Sequence, residues 1–203
     1  MNIILASANR GKIEEFKKLL PNNKVVAYSD ILGKFDIPET GVTFKENAII
    51  KASVVNEKLK AKGEKDFIVI SDDSGISLPI LDGAPGVYSA RFASLNASDK
   101  ENNEKLISKL NELNVEKTAA FYTACIAIIY KDFTYTVHGF MHGMAINKEL
   151  GTNGFGYDPL FLPYAVPGKT MAELTLNQKN QISHRGSALQ KLKDALRAEK
   201  LFS

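Results

Sequence analysis

The order of its predicted elements places this chain in the α/β class, with an elongated mixed β-sheet flanked by helices. The first part alternates apolar strands with amphipathic helices in the order β-α-β-α-β. Two long β-rich stretches follow, separated only by Lys131 and Asp132, and the last element is a helix. An alternating section followed by an antiparallel one is typical of a mixed sheet with helices packed against it.

Length and composition indicate one globular domain. The chain has 203 residues, of which 44% are apolar and 24% are charged. These values disfavour a disordered or fibrous chain. A chain of this length forms one sizeable core or one domain split into two lobes. There is no repeat and no linker-like stretch, so we expect one domain over residues 1–203.

Three elements are expected at the start of the chain. The apolar run NIILA predicts a buried strand over residues 2–6. A helix is predicted over residues 11–20, with apolar residues at helical spacing, and Pro21 ends it. A second short strand is expected at KVVAY, residues 24–28.

A longer helix is expected to begin at Thr43. Thr43 and Glu46 have the spacing of a capping box, in which each side chain bonds the backbone of the other. Gly63 has the conformational freedom that helix ends require. The next apolar strand, residues 67–71, leads directly into DDSG, which is common turn chemistry.

The second half of the chain supplies the remaining elements. Ser98 and Glu101 form another capping-box pattern ahead of an amphipathic helix. The antiparallel pair is predicted over residues 118–130 and 133–146, and the last helix over residues 186–200.

Charge and cysteine content exclude several classes of protein. The chain has 26 basic and 23 acidic residues, a balance too even to indicate a nucleic-acid partner. Cys125 lies in an apolar run, so we interpret it as a buried strand thiol, and a single cysteine suits a reducing compartment such as the cytoplasm. No signal peptide is recognisable, and no apolar run approaches the roughly 20 residues of a membrane helix. His138 and His142 would lie roughly 13 Å apart along a strand, too far for one metal ion.

The turn between the first strand and the first helix has the chemistry of a phosphate site. A helix N-terminus presents unpaired N–H groups and partial positive charge, and small residues let a phosphate approach them. The candidate residues are Ser7, Ala8, Asn9, Arg10, Gly11 and Lys12. The turn is not a Walker A loop, because Ala6 and Ile13 stand at positions where that motif needs other residues. From this stretch alone, an ordinary turn with a surface lysine is the favoured interpretation.

Two adjacent carboxylates strengthen the case for a site. Asp72 and Asp73 follow an apolar strand and precede Ser74. Adjacent strand residues point to opposite faces, so we expect one carboxylate to face a given cleft, where it would hold Mg²⁺ or activate water. Glu39 is a candidate second metal carboxylate, and Lys51 follows on the long helix. The alternative is that all of these are solvated surface residues.

Two later segments have the chemistry of nucleotide contacts. The loop GFGYDP allows Phe155 or Tyr157 to approach a planar ring and Asp158 to accept hydrogen bonds from it. The alternative is a rigid turn with a packed tyrosine. His184 and Arg185 precede the last helix and suit a phosphate or a base, or else form a surface pair. Together with the phosphate turn and the carboxylates, these segments indicate a nucleoside phosphate bound with Mg²⁺.

Seven segments together resemble the inosine triphosphate pyrophosphatase family, the XTP/dITP diphosphatases that act on non-canonical purine nucleoside triphosphates. They run in the family's order from Ser7 to Gly186 and are SANRGKIEEF, ETGVTFKENAIIKA, SDDSGI, GAPGVYSARF, GTNGFGYDPLF, KTMAELT and QISHRG. The resemblance implies Mg²⁺-dependent hydrolysis of ITP, dITP and XTP to the monophosphate and pyrophosphate, which cleanses the nucleotide pool. It also implies a cytoplasmic homodimer and an elongated mixed sheet in two lobes with the site in a central cleft.

The resemblance also implies roles for individual residues. Asp73 would be the general base close to the metal, Glu39 a further metal ligand, and Ser74 a substrate contact. Lys12 and Lys51 would reach the phosphates. The implied base-binding loop is Phe155, Gly156, Tyr157 and Asp158, and the later nucleotide contacts are Lys179, His184 and Arg185. Ser7 departs from the family's common threonine but keeps the hydroxyl, and the NQKNQ segment around Lys179 is less acidic than usual.

Two alternatives compete with this assignment. One is a related pyrophosphatase that prefers pyrimidine nucleotides, which the motif order along the whole chain disfavours. The other is a nucleotide-sensing or RNA-binding module without turnover. The presence of Lys12, Glu39 and Asp73 and the even charge balance argue against that module.

Overall fold

A computed structural model describes residues 2–198 and shows a six-stranded sheet in the order β2-β1-β3-β4-β5-β6. The sheet carries helices, as the α/β prediction requires. The strands are β1 (Asn2–Leu5), β2 (Val25–Ala27), β3 (Phe67–Ser77), β4 (Lys117–Tyr130), β5 (Phe133–Ile146) and β6 (Phe161–Pro163). The α-helices are α1 (Arg10–Leu19), α2 (Tyr28–Leu32), α3 (Phe44–Lys62), α4 (Asp99–Glu112), α5 (Leu176–Ile182) and α6 (His184–Ala198).

Parallel and antiparallel pairing both occur, so the prediction of a mixed sheet is confirmed. β1 pairs in parallel with β2 and with β3, and β5 pairs antiparallel with β6. The neighbours β4 and β5 are joined by Lys131 and Asp132 alone, a connection that only antiparallel strands allow. Lys131 takes the left-handed conformation that such a tight turn requires, with φ +52°.

The chain forms two compact units. The first comprises residues up to Asp73, Ala124–Gly139 and the residues from Arg185 on, and the second comprises Ser74–Thr123 and Phe140–His184. The unit boundaries therefore fall inside β3, β4, β5 and the first turn of α6. The predicted single domain with a central cleft stays a prediction.

The first unit has a core on each face of its sheet. Side chains alternate along a strand, so Ile3 and Leu5 pack with Phe16 and Leu189, from α1 and α6. On the other face, sheet residues pack against α3. The sheet contributes Ile4, Ala6 and Val69, and α3 contributes Ala48, Ala52, Val55 and Leu59. Cys125 is buried in this second core as predicted, and burial raises the pKa of its thiol to about 11.

The second unit has one core between its strands and α4. Leu106 and Leu110 of α4 pack with Tyr122 of β4 and Phe161 of β6. The rings of Tyr122 and Phe161 meet edge to face with their centroids 4.8 Å apart. Within residues 2–198, no helix is long and apolar enough to cross a membrane.

Several boundaries follow the predicted signals, and others do not. The capping boxes at Thr43 and Ser98 are confirmed, and Gly63 ends α3 with φ +85°. The prediction that β3 ends at Ser71 is wrong, because the strand continues to Ser77 and DDSG lies inside it. α2, α5 and β6 were not predicted. α6 begins at His184, two residues before its predicted start, while predicted positions 199 and 200 lie outside the described residues.

Candidate active site

Strand β3 presents its two adjacent carboxylates to opposite faces of the sheet. Asp72 lies on the face that carries α1 and α6, where it bonds Arg185, and Asp73 lies on the face that carries α3, where it bonds Lys51. The expected alternation is therefore confirmed. The extended β3 holds both carboxylates in rigid strand, because the backbone at Asp72 and Asp73 is paired and both residues are buried.

On the α3 face, Lys51 joins two carboxylates. Its Nζ donates to Oδ1 of Asp73 at 2.6 Å and to Oε1 of Glu39 at 2.9 Å. Burial by itself would lower the pKa of Lys51, but Asp73 and Glu39 raise it, so the ammonium stays charged. Lys51 is thus a fixed cation beside the carboxylate of Asp73, and not the solvated surface lysine of the alternative interpretation.

Asp73 combines a perturbed pKa with an oxygen that no donor satisfies. Burial raises the pKa of its carboxyl above the usual range, although Lys51 and Lys12 act in the opposite direction. Its Oδ2 is buried, and none of residues 2–198 donates a hydrogen bond to it. A buried carboxylate oxygen of this kind needs a water, an ion or a substrate group as its partner.

On the opposite face, Asp72 is held by two cations. Its Oδ2 lies 2.7 Å from Nζ of Lys12 and 3.2 Å from Nε of Arg185. Arg185 also donates through Nη1 to Oε2 of Glu15. Burial alone would raise the pKa of Asp72, but Arg185 and Lys12 hold that pKa well below its usual range. The sequence interpretation missed Glu15 and gave Asp72 no partner, although Glu15 follows Lys12 by three residues and so shares its helix face.

The turn before α1 combines capping with an accessible backbone. Asn9 is the N-cap, and its Oδ1 accepts from the N–H of Lys12 at 3.0 Å. Ser7 Oγ accepts from the N–H of Asn9 at 3.2 Å. Ala8, Asn9 and Arg10 are exposed, so an anion can reach the first N–H groups of the helix. This geometry suits the predicted phosphate turn. The Oδ1 atom of Asn9 already accepts the capping hydrogen bond.

In the second unit, the glycine-aromatic loop is pinned by a buried ion pair. Oδ2 of Asp158 accepts from Nζ of Lys179 at 2.6 Å and from the N–H of Phe155 at 3.0 Å. Nζ of Lys179 lies 4.3 Å from the centre of the Phe155 ring, a cation–π contact. Gly154 has φ +83°, and a Cβ there would lie 2.1 Å from Oδ2 of Asp158. The loop therefore needs glycine at this position.

Two residues that the sequence interpretation missed fix the other half of this loop. The hydroxyl of Tyr157 donates to the carbonyl of Ser89 at 2.8 Å, and burial raises the pKa of that hydroxyl. The N–H of Gly156 donates to Oδ2 of Asp99 at 2.7 Å. Tyr157 is thus packed, as the structural alternative held. The signals were the GAPGVYSARF segment, which contains Ser89, and the acidic start of α4.

The pair His184 and Arg185 lies in the first turn of α6 and is buried, at 4% and 2% exposure. The interpretation of a surface pair is therefore wrong. The ring of His184 stacks on that of Tyr122 with the centroids 4.7 Å apart and an angle of 13° between the planes. Ser74, the predicted substrate contact, is half-buried in β3.

The carboxylates beside Lys51 have the composition of a small hard-cation site. Within residues 2–198, no group of three or more His, Cys, Asp or Glu side chains is placed to hold a metal ion. A cation such as Mg²⁺ needs fewer, because it keeps several waters and takes one or two carboxylates together with substrate phosphates. Oδ2 of Asp73 is buried and has no donor among residues 2–198, and Glu39 accepts from the same lysine. These residues fit a divalent cation.

Comparison with known proteins places this arrangement in a family. The family model described as the Ham1 family matches residues 3–195. The chain belongs to the Ham1 family. It is 61% identical to the dITP/XTP pyrophosphatase of Aliarcobacter butzleri (strain RM4018) over 189 residues, which cover 93% of this chain and 94% of the relative.

Two solved structures of Ham1 proteins have the same fold. The Ham1 protein of Staphylococcus aureus is 41% identical, with a TM-score of 0.80, and the match covers 98% of this chain and 100% of that one. The HAM1 protein of Coxiella burnetii is 36% identical, with a TM-score of 0.82 and coverage of 98% and 99%. The family predicted from the seven segments is therefore confirmed.

Proposed function

We propose that this chain hydrolyses the non-canonical purine nucleoside triphosphates dITP, XTP and ITP to the monophosphate and pyrophosphate. Its place in the Ham1 family and the dITP/XTP pyrophosphatase name of its relative support this activity. The role that follows is removal of deaminated purine nucleotides before they enter DNA or RNA. The observation that carries the proposal is the buried Oδ2 of Asp73, beside Lys51 and Glu39, to which no described residue donates a hydrogen bond.

Asp73 is the general base in this proposal. A carboxylate whose pKa burial has raised is a better proton acceptor than an ordinary aspartate. None of residues 2–198 donates to its Oδ2, so a bound water molecule would satisfy that oxygen. Asp73 would orient that water and take its proton as the water attacks the α-phosphorus. The bond from that phosphorus to the bridging oxygen breaks, and pyrophosphate leaves.

Mg²⁺ is the proposed cofactor, with Asp73 and Glu39 as its protein ligands. Bound there with the triphosphate, it would supply charge neutralisation and polarise the phosphoryl oxygens. Glu39 is only partly buried, at 28% side-chain exposure, so waters can complete the coordination.

Fixed cations and N–H groups are proposed to bind the phosphate chain. Lys12, Lys51 and the turn from Ser7 to Gly11 would offset the charge that develops on the pyrophosphate. Their location at a helix N-terminus and beside a buried carboxylate supports this assignment. Ser74 is the proposed further contact of the substrate.

The loop Phe155 to Asp158, with Lys179, His184 and Arg185, is proposed to bind the base. A rigid loop that carries an aromatic ring suits stacking on a purine. Donors of the His184 and Arg185 region would satisfy the 6-keto group of hypoxanthine and xanthine, whereas adenine would leave a buried donor unpaired. Such a mismatch costs roughly a factor of 10² or more.

The remaining proposals concern the working state of the enzyme. By the family resemblance we expect a homodimer that works in the cytoplasm on free nucleotides, with no nucleic-acid or membrane partner. Size-exclusion chromatography with light scattering checks the dimer directly.

Pyrophosphate release from a panel of triphosphates tests the proposed function. The panel is dITP, XTP, ITP, GTP, ATP and dTTP, each with Mg²⁺ and with EDTA. Metal-dependent release that strongly favours dITP, XTP and ITP is expected. Release that favours dTTP would transfer the chain to the pyrimidine-preferring alternative, and no release from any nucleotide would leave a binding module without turnover.

A further inference from the structure

A row of alternating charges runs through the first unit to Lys12, in the first turn of α1. Glu15, Arg185 and Asp72 are each at most 2% exposed. Arg185 donates to Glu15 through Nη1 and to Oδ2 of Asp72 through Nε. The same Asp72 oxygen bonds Lys12. The side chain of Lys12 is 16% exposed and is the end of this row of charges that faces solvent.

Stability alone is a weak reason for such a row of charges. Each buried ion loses its hydration, and replacing a buried ion network by apolar residues is often neutral or stabilising. The row of charges does restrict the side chain of Lys12 at the candidate site. Nζ of Lys12 is held 2.7 Å from Oδ2 of Asp72 and 3.4 Å from the carbonyl of the same residue. A lysine has many rotamers in solution, and these two contacts select one of them.

We propose that Glu15 and Arg185 are positioning residues that hold Asp72 in the orientation that directs Lys12 to the phosphates. This inference rests on the proposed function, in which Lys12 contacts the phosphate chain. Arg185 donates to both carboxylates, so Glu15 fixes the guanidinium, which in turn fixes Oδ2 of Asp72 beside Lys12. Besides the base contact proposed above, Arg185 thus acts on the phosphates through Asp72 and Lys12.

Glu15→Gln separates positioning from plain charge. Removing a buried negative charge makes the site more positive, which by charge alone would tighten phosphate binding and lower KM. If Glu15 positions Lys12, KM for dITP rises instead, by roughly 3- to 30-fold, with a smaller change in kcat. Glu14→Gln is the matched control, because Glu14 is the preceding residue of α1 and is exposed, paired only with Lys17 in the contacts of the described residues.

A double-mutant cycle identifies the route of the effect. In a Lys12→Gln background, Glu15→Gln has no lysine to release, so we expect KM to change by less than about twofold. A merely structural role would raise KM by the same factor in both backgrounds. An unchanged or lowered KM in Glu15→Gln, or equal effects in both backgrounds, overturns the proposal.

Two further measurements keep the test decisive. If Glu15→Gln fails to fold by circular dichroism, Glu15→Asp is assayed in its place. It keeps the charge but draws the carboxylate back from Arg185, so the same rise in KM is expected with no change in net charge. The affinity for inorganic pyrophosphate, measured by calorimetry, reports how well Lys12 binds phosphate when no hydrolysis takes place. A wild-type chain that binds pyrophosphate but cleaves no triphosphate refutes the proposed function alone. A wild-type chain that does neither overturns both.

Discussion

Asp72 and Asp73 are neighbours in one strand and are both buried beside lysines, yet their environments shift the pKa of the two carboxyls in opposite directions. Asp72 shares one oxygen between Lys12 and Arg185, and its pKa lies well below the usual range. Asp73 shares Lys51 with a second carboxylate and has a raised pKa, and its Oδ2 accepts no hydrogen bond from the part of the chain that the structure describes. The first arrangement holds a permanent anion in place, whereas the second makes the carboxylate take up a proton more readily, which suits the general base that we propose. The comparison shows that partners assign these roles, because the two residue types are identical.

The largest expected effect is the loss of kcat when Asp73, the first of the two carboxylates to be tested, is replaced. Asp73→Asn removes the proton acceptor while keeping its shape, so kcat for dITP should fall by roughly 10²- to 10⁴-fold while nucleotide binding persists. Steady-state kinetics and calorimetric binding measure the two quantities. The control is Asp66→Asn, an exposed residue just before β3 whose φ of +54° asparagine accepts well. Near-normal kcat in Asp73→Asn would remove Asp73 from its role.

Asp72→Asn tests the second carboxylate of the comparison and should lower the free energy of unfolding. It leaves the buried guanidinium of Arg185 with Glu15 as its charged partner and removes the anchor of Lys12. Breaking a buried ion pair from one side costs about 3–5 kcal/mol, so the urea midpoint should drop markedly. A midpoint equal to that of the wild type would mean that the network is not coupled to folding.

Glu39→Gln should weaken the cation site without abolishing it. Glu39 is the more exposed of the two carboxylates on Lys51, and its charge contributes to the raised pKa of Asp73. We expect the Mg²⁺ concentration for half-maximal activity to rise by roughly tenfold, since one of two charged ligands is lost. An unchanged Mg²⁺ requirement would show that Glu39 serves only to position Lys51.

The smallest expected effect is a pair of opposite pH dependences in the metal-free protein. Asp73 has a raised folded pKa, so the free energy of unfolding of the wild type, relative to Asp73→Asn, should rise as pH falls through that raised pKa toward the usual value of 3.8. Asp72 has a depressed folded pKa, so its contribution is present above the usual value of 3.8 and is lost as pH falls below it.

Urea unfolding at a series of pH values separates the two windows. A difference between the wild type and Asp73→Asn that does not depend on pH would contradict the raised pKa of Asp73. Loss of the Asp72 contribution well above pH 3.8 would contradict its depressed pKa.

Much of this protein could be predicted from local sequence signals. The capping boxes at Thr43 and Ser98, the left-handed glycine that ends α3, and the two-residue turn between β4 and β5 are interactions between residues close in the chain. Motif order identified the family. DDSG was misjudged because its turn propensity is overridden in the fold, where β3 continues as a strand through these residues.

By itself, the sequence determined the order of the longer elements, the family and the fact that Asp72 and Asp73 face opposite ways, since strand alternation is a local property. Only the tertiary structure decided which carboxylate meets which cation. Arg185 lies 113 residues from Asp72 and 170 residues from Glu15, and no local spacing announces such contacts. Charge, burial and hydration set the pKa of each aspartate, and these depend on partners that only the folded chain brings together.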